Sequence, residues 1–256
     1  MGNPKYVKRS SAHLSANGEP DSRCFKRLHG PISGIMRPMT AHDRSRIDPP
    51  MLPLLLEGTN LACYRGEIAL FEGLDLRVEA GEALRIEGAN GTGKTSLLRI
   101  LAGLSRPDEG KVEWSGTDIH ARPLGFNAVL GFLGHLLGLK QDLSIEENLR
   151  MMTALRGQSL DPLAMTSALD RVGLLDRLDL RVRQLSQGQR QRTALAALML
   201  SGSLIWILDE PFTALDRTGI ALVESLLDHH LDQGGMAILT SHQPVSTRNR
   251  VRSLEL

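Results

Sequence analysis

Eight consecutive residues, Gly88-Ala89-Asn90-Gly91-Thr92-Gly93-Lys94-Thr95, set the chemistry available to this chain. They fit G-x-x-x-x-G-K-[ST], a pattern in which each part answers a need of a polyphosphate. Phosphate oxygens require donors at close range, and backbone N–H groups supply them where no side chain intrudes. Gly88, Gly91 and Gly93 lack the Cβ that would block this approach and tolerate positive φ. Lys94 is a mobile point charge able to reach the outer phosphates, and the Thr95 hydroxyl suits Mg²⁺. Ala89, Asn90, Thr92 and Ser96 complete the expected nucleotide-binding set.

A second centre follows a continuous apolar run at 204–208, the mark of a strand buried on both faces of a parallel sheet. Asp209 and Glu210 stand at its C-terminal end. A carboxylate there, beside a phosphate loop, can hold Mg²⁺ through water, and the next one is placed to polarise an attacking water. Taken alone, the pair reads equally as an acidic turn. Behind a phosphate loop, Asp209 is expected to serve the metal and Glu210 the water.

These groups need a scaffold. Residues 83–87 alternate like a strand, and 95–102 read as a helix whose positive N-terminus faces the phosphates. Short apolar runs at 54–56, 61–64, 68–71 and 74–78, separated by glycines, predict antiparallel strands. Gly103 closes the first helix, and 111–114 is a further strand. Residues 124–139 are rich in Gly and Leu without a clear period. From 144 to 178 the pattern is helical. Ser144 with Glu147 fits a capping box, and Leu149, Met152 and Leu155 lie three apart. Helices at 189–200 and 220–231 and a strand at 236–240 complete an α/β chain with a parallel-sheet core.

Composition narrows the class. With 256 residues, the chain can bury one good core, or one core and a smaller lobe. A net charge of +1 provides no overall field to attract nucleic acid. Residues 1–50 hold nine Lys/Arg against four Asp/Glu and show no sustained periodicity, so disorder is expected there. Such a segment reads as a flexible tail, as an over-long reading frame, or as a basic arm touching anionic lipid. Cys24 and Cys63 form no C-x-x-C, which suits a reducing compartment rather than a disulfide or zinc framework. No apolar stretch near the start suggests a secretory leader. The uncharged stretch 193–208 is shorter than the ~20 residues of a membrane span, and Ser201-Gly202-Ser203 breaks it, so it reads as core.

Three further motifs appear in order. Leu185-Ser186-Gln187-Gly188-Gln189 precedes the helix at 189–200, where Ser186 could simply cap it. The same stretch resembles the L-S-G-G-Q signature of ATP-binding cassette (ABC) proteins, departing only at Gln187. Thr213-Ala214-Leu215-Asp216 resembles their D-loop, and Thr240-Ser241-His242 their switch histidine. Tyr64 lies where that family stacks an aromatic ring on adenine, although core packing is an alternative. By these motifs, about residues 54–242 are identified as a member of the ABC ATPase family. The resemblance implies a P-loop cassette over residues 51–256, with a parallel-sheet core, an antiparallel β subdomain and an α-helical subdomain at about 143–185. It implies ATP and Mg²⁺ as ligands and a second cassette paired head to tail. Ser186, Gly188 and Gln189 of one copy would then reach the nucleotide of the other, with Asp216 in the D-loop between them. Glu210 would be the general base, and His242 would bind the γ-phosphate and the water.

His135 narrows the assignment. Aligned on residues 143–149, it occupies the position where the family usually carries a coupling-loop glutamine. The form Gly134-His135-Leu136-Leu137-Gly138-Leu139-Lys140 is similar to the haem-exporter ATP-binding subunits of c-type cytochrome maturation. Arg65-Gly66-Glu67 and His242-Gln243-Pro244 agree with that group. The resemblance implies a peripheral subunit on the cytoplasmic face of the inner membrane, paired with a CcmB-like permease. ATP would drive haem export or release of haem from its chaperone. An ATPase of another small-molecule transporter, or one of Fe–S assembly, would be expected to carry glutamine at position 135.

Overall fold

Two sheets of opposite construction divide the apolar residues between them. The computed structural model describes residues 54–256. The basic segment 1–50 with its alternative readings, and Cys24, lie outside the described residues.

The antiparallel sheet has the order β2-β1-β4-β5, from β1 (Leu55–Arg65), β2 (Ile68–Glu79), β4 (Glu109–Trp114) and β5 (Thr117–Asp118). The four short runs expected at its start join into two long strands, paired from Leu55↔Glu79 to Arg65↔Ile68. Glycine does not break them. Instead the register shifts three times between Gly58 and Tyr64, with Asn60 at φ 48° and Gly73 at φ 60°. Such bulges bend and twist a strand pair without ending it.

The parallel sheet has the order β6-β7-β8-β3-β9. Its strands are β3 (Glu82–Glu87), β6 (Leu130–Leu133), β7 (Ile205–Leu208), β8 (Met236–Thr240) and β9 (Arg250–Glu255). β7 and β8 are buried along their whole length, as the continuous apolar runs predicted. Alternation splits their side chains between two cores. Leu84, Ile86, Ile205, Ile207 and Ile238 pack with α1 (Lys94–Leu101) and the antiparallel strands. Ala83, Trp206, Leu208, Ala237 and Leu239 pack towards α5 (Gln187–Leu200) and α6 (Arg217–Asp232). The stretch 124–139, left without a period above, holds most of α2 (Pro123–Val129) and all of β6.

Between β6 and α5 lie α3 (Ile145–Leu155) and α4 (Pro162–Arg171). The Ser144–Glu147 capping box is formed in both directions. The buried stripe of α3 is Ile145, Asn148, Leu149 and Thr153, and Leu155 is 80% exposed. The expected three-apart row fails because each step of three turns only about 300°, so it drifts off the face. Asn148 is fully buried and satisfied by the backbone of Lys140, Leu143 and Ser144, which ties the preceding loop to α3. Among the described residues, no helix is long and apolar enough to cross a membrane.

One buried titratable group stands apart from the site. The His230 ring stacks on Trp206 with centroids 4.0 Å apart and donates Nε2–H to the Met236 carbonyl at 3.1 Å. Burial lowers its pKa to about 4, so it is neutral in the fold, whereas the unfolded chain binds a proton near pH ~6.5. Stability from this residue is therefore complete above that value and falls as pH drops towards the folded pKa. The expected loss from this group is about 2 kcal/mol between pH 7 and 5. Urea midpoints at the two pH values should show it, and His230→Phe should flatten that interval relative to the parent.

Candidate nucleotide site

The phosphate loop joins β3 to α1, and its glycines are used for different reasons. A Cβ on Gly88, at φ 141°, would lie 2.8 Å from the Leu256 carbonyl oxygen and 2.9 Å from Thr92 Oγ1. A Cβ on Gly91, at φ 92°, would meet nothing within 4 Å, leaving its backbone facing open space. The loop is closed around its own lysine. Lys94 Nζ donates to the Gly88 and Ala89 carbonyls at 2.7 and 3.0 Å, and Thr92 Oγ1 donates to Ala89 at 3.1 Å.

The carboxylates arrive from β7, placed by parallel register. Leu208 pairs with Leu239 on one side and Leu133 on the other, so Asp209 and Glu210 emerge at the C-terminal edge of the sheet. A line of hydrogen bonds then crosses that edge. Thr95 Oγ1 donates to Asp209 Oδ2 at 3.0 Å. Thr240 Oγ1 donates to Asp209 Oδ1 at 2.9 Å and accepts the Glu210 N–H at 2.8 Å. This grip holds Glu210 at φ 52°, an unusual conformation for a residue with a side chain. His242 Nε2 lies 3.4 Å from Glu210 Oε1. Thr240, fully buried, was not singled out from the sequence, although a small hydroxyl ending an apolar strand beside the carboxylate strand is a readable signal.

Lys94, Thr95, Ser96, Asp209, Glu210 and His242 share one cavity of about 430 Å³, with Asn90, Gly91 and Gly93 of the loop and Tyr64, Arg65 and Leu70 in its wall. Tyr64 is 38% exposed and belongs to this wall, which removes the core-packing alternative. Its donor set suits a magnesium nucleotide. Thr95 and Asp209 offer only oxygen, and α1 presents its N-terminus to the cavity.

The signature residues lie elsewhere. Ser186, Gly188 and Gln189 line a second cavity of about 480 Å³ together with Asp216, and it shares no residue with the first. Ser186 does cap α5, exchanging hydrogen bonds with Gln189 at 2.9 and 3.2 Å. Gly188 allows a close approach, since a Cβ there would lie 3.2 Å from the Ala214 carbonyl, a tight contact. Asp216 caps α6, and the Gly219 N–H, followed by the Thr218 hydroxyl, holds its carboxyl below the usual range. His135 is exposed and lines neither cavity. It leaves β6 two residues after Leu133, as Glu210 leaves β7 two residues after the paired Leu208.

A family model described as ABC transporter matches residues 71–213. The chain is 53% identical over 204 residues to the cytochrome c biogenesis ATP-binding export protein CcmA of Methylococcus capsulatus, covering 80% of this chain and 98% of that one. It is 50% identical over 198 residues to the protein of that name from Haemophilus ducreyi, covering 77% and 94%. The chain belongs to the CcmA family of ABC transporter ATP-binding proteins. Among solved structures, the ABC transporter ATP-binding protein of Pyrococcus furiosus superposes with a TM-score of 0.69 at 27% identity, over 78% of this chain and 97% of that one. The expected ABC cassette fold is thus borne out.

Thr240 gives the site a direct test. Thr240→Val keeps the shape of the side chain but leaves a buried carboxylate oxygen and the Glu210 N–H without their partner. The expected cost is about 1–3 kcal/mol of stability. ATPase activity should fall at least about tenfold if the Glu210 backbone relaxes. Melting temperature and steady-state hydrolysis measure the two effects.

Proposed function

We propose that the chain is the ATP-hydrolysing subunit that drives haem export, or release of haem from its chaperone, during c-type cytochrome biogenesis. The observation that carries the hydrolytic part is Glu210, gripped through Thr240 beside Asp209 and 3.4 Å from His242. The haem pathway rests on the CcmA relatives matched over nearly their whole length. Residues 51–256 are taken as the ATP-binding domain, with its helical subdomain at about 143–185.

The residues divide the work as follows. Backbone N–H groups of 88–95 and the end of α1 hold the phosphates. Lys94 leaves its loop carbonyls for the outer phosphates. Thr95 and Asp209 would hold Mg²⁺, which neutralises charge on the phosphate oxygens when bound. Glu210 accepts the proton of the attacking water, and His242 orients that water and the γ-phosphate. Because the signature lies in a separate cavity, a second cassette must bring its Ser186, Gly188 and Gln189 to this one. Chemistry of this kind is mostly position and electrostatics, so closure of the pair is the decisive step. The partner in the membrane is a CcmB-like permease, with the cassette peripheral on the cytoplasmic face. His135, exposed at the edge of the sheet near the carboxylates, serves coupling to that partner.

Glu210→Gln should keep ATP binding, lose turnover and accumulate the ATP-bound dimer, because the proton acceptor is gone. Near-parental hydrolysis by the purified assembly contradicts the role. His135→Ala should leave ATP binding intact while lowering partner-stimulated turnover and the yield of c-type cytochrome in cells. His135→Gln should recover much of the loss, since the amide oxygen keeps a hydrogen-bond acceptor at this position. An alanine variant equal to the parent in both assays would make His135 a spacer.

A further inference from the structure

The wall of the nucleotide cavity contains a tyrosine that is held at its hydroxyl and at its backbone. Tyr64 sits one residue before the end of β1, where the hairpin shifts register. Cys63 pairs with Phe71 but Tyr64 with Ala69, so Leu70 is left as an extra residue on β2. A regular strand sends consecutive side chains to opposite faces, whereas here Tyr64, Arg65 and Leu70 all line the cavity. A bulge re-aims side chains in this way.

Re-aiming alone does not fix a ring that is 38% exposed. Two acids do so. The Tyr64 hydroxyl donates to Glu72 Oε1 at 2.8 Å, and its backbone N–H donates to Asp108 Oδ2 at 2.7 Å. Strand pairing sets Ala69 opposite Tyr64, so the contact with Glu72 reaches diagonally along β2. An exposed hydrogen bond of this kind adds little to global stability. Its effect is on geometry, because it limits both ring torsions. The same bond raises the phenol pKa to about 12.

We propose that Glu72 is a positioning residue for nucleotide binding, locking the Tyr64 ring as a platform for a purine base. This rests on the reading of the cavity as the ATP site with Tyr64 against the base. The base is the part of the nucleotide that the phosphate loop does not read, and an aromatic platform held in advance stacks on it without first losing ring freedom. A purine offers a larger face than a pyrimidine, so the lock favours ATP over CTP. It contributes nothing to the hold on phosphates, which belongs to Lys94 and the loop.

The experiment titrates the purified full chain with ATP, CTP and inorganic tripolyphosphate. Glu72→Ala and Tyr64→Phe should each raise Kd for ATP about three- to tenfold, raise CTP less, and leave tripolyphosphate unchanged. KM for ATP should rise in step, with kcat at saturation retained. Glu72→Gln, which keeps an acceptor oxygen, should bind ATP like the parent. The double variant should be no worse than either single one, because both remove one bond. Equal loss for tripolyphosphate and ATP, or additive losses in the double variant, would overturn the proposal in favour of a general structural role. Tyr64→Ala separates the two levels. If it leaves ATP affinity unchanged, the base-stacking reading itself fails. If it weakens ATP while Glu72→Ala does not, only the positioning role fails.

Discussion

One line of hydrogen bonds, from Thr95 through Asp209 and Thr240 to the Glu210 amide, ties the start of α1 to the ends of two strands. The rest of the cassette can be understood as what it takes to build that line. Parallel strands in the order β7-β8-β3 bring the three segments to one edge of the sheet. Burying β7 and β8 on both faces fixes their register, because a slip of one residue would move large side chains into the wrong core. The result is a carboxylate fixed at both oxygens and a neighbour held at a positive φ. Preorganisation of this kind lets charged groups act without reorganising during the reaction.

The same economy explains why the site is split. α5 follows a capping serine and presents its N-terminus to a cavity that has no residue in common with the phosphate loop's. A helix N-terminus attracts anions, but this one opens on a cavity separate from that of its own chain's phosphate loop. On the proposed reading, pairing of two copies supplies it to the other chain's nucleotide, and the D-loop packed against Gly188 links the two sites. Hydrolysis then reports on assembly, as a subunit coupled to a membrane partner requires.

Much of this was legible in the sequence because short-range chemistry left clear marks. The phosphate loop, the carboxylate pair after an apolar strand, the Ser144 capping box and the Ser186 cap follow from residue types within a few positions of one another. What was hidden depended on pairing. β6 is four residues with a glycine inside, and only its neighbour β7 makes it a strand. β9, Arg250–Glu255, gains its strand character from β3 and is mostly polar because it lies at the edge. The bulges of β1 and β2 belong to the register between them, so four apolar runs looked like four strands. Thr240 is readable as a small hydroxyl ending an apolar strand, but its partner is not, since Asp209 lies 31 residues away.

On the proposed reading, one chain holds two incomplete halves of an ATPase site. Mixing two disabled copies tests it most directly. Lys94→Ala removes the phosphate-loop charge, and Ser186→Arg blocks the signature, so each variant alone should be inactive in the purified complex. Combined in equal amounts, they form mixed pairs in which one site takes an intact phosphate loop from one copy and an intact signature from the other. ATP hydrolysis should reappear in the mixture. A mixture as inactive as its components, or a Ser186→Arg protein that hydrolyses ATP unaided, would contradict it.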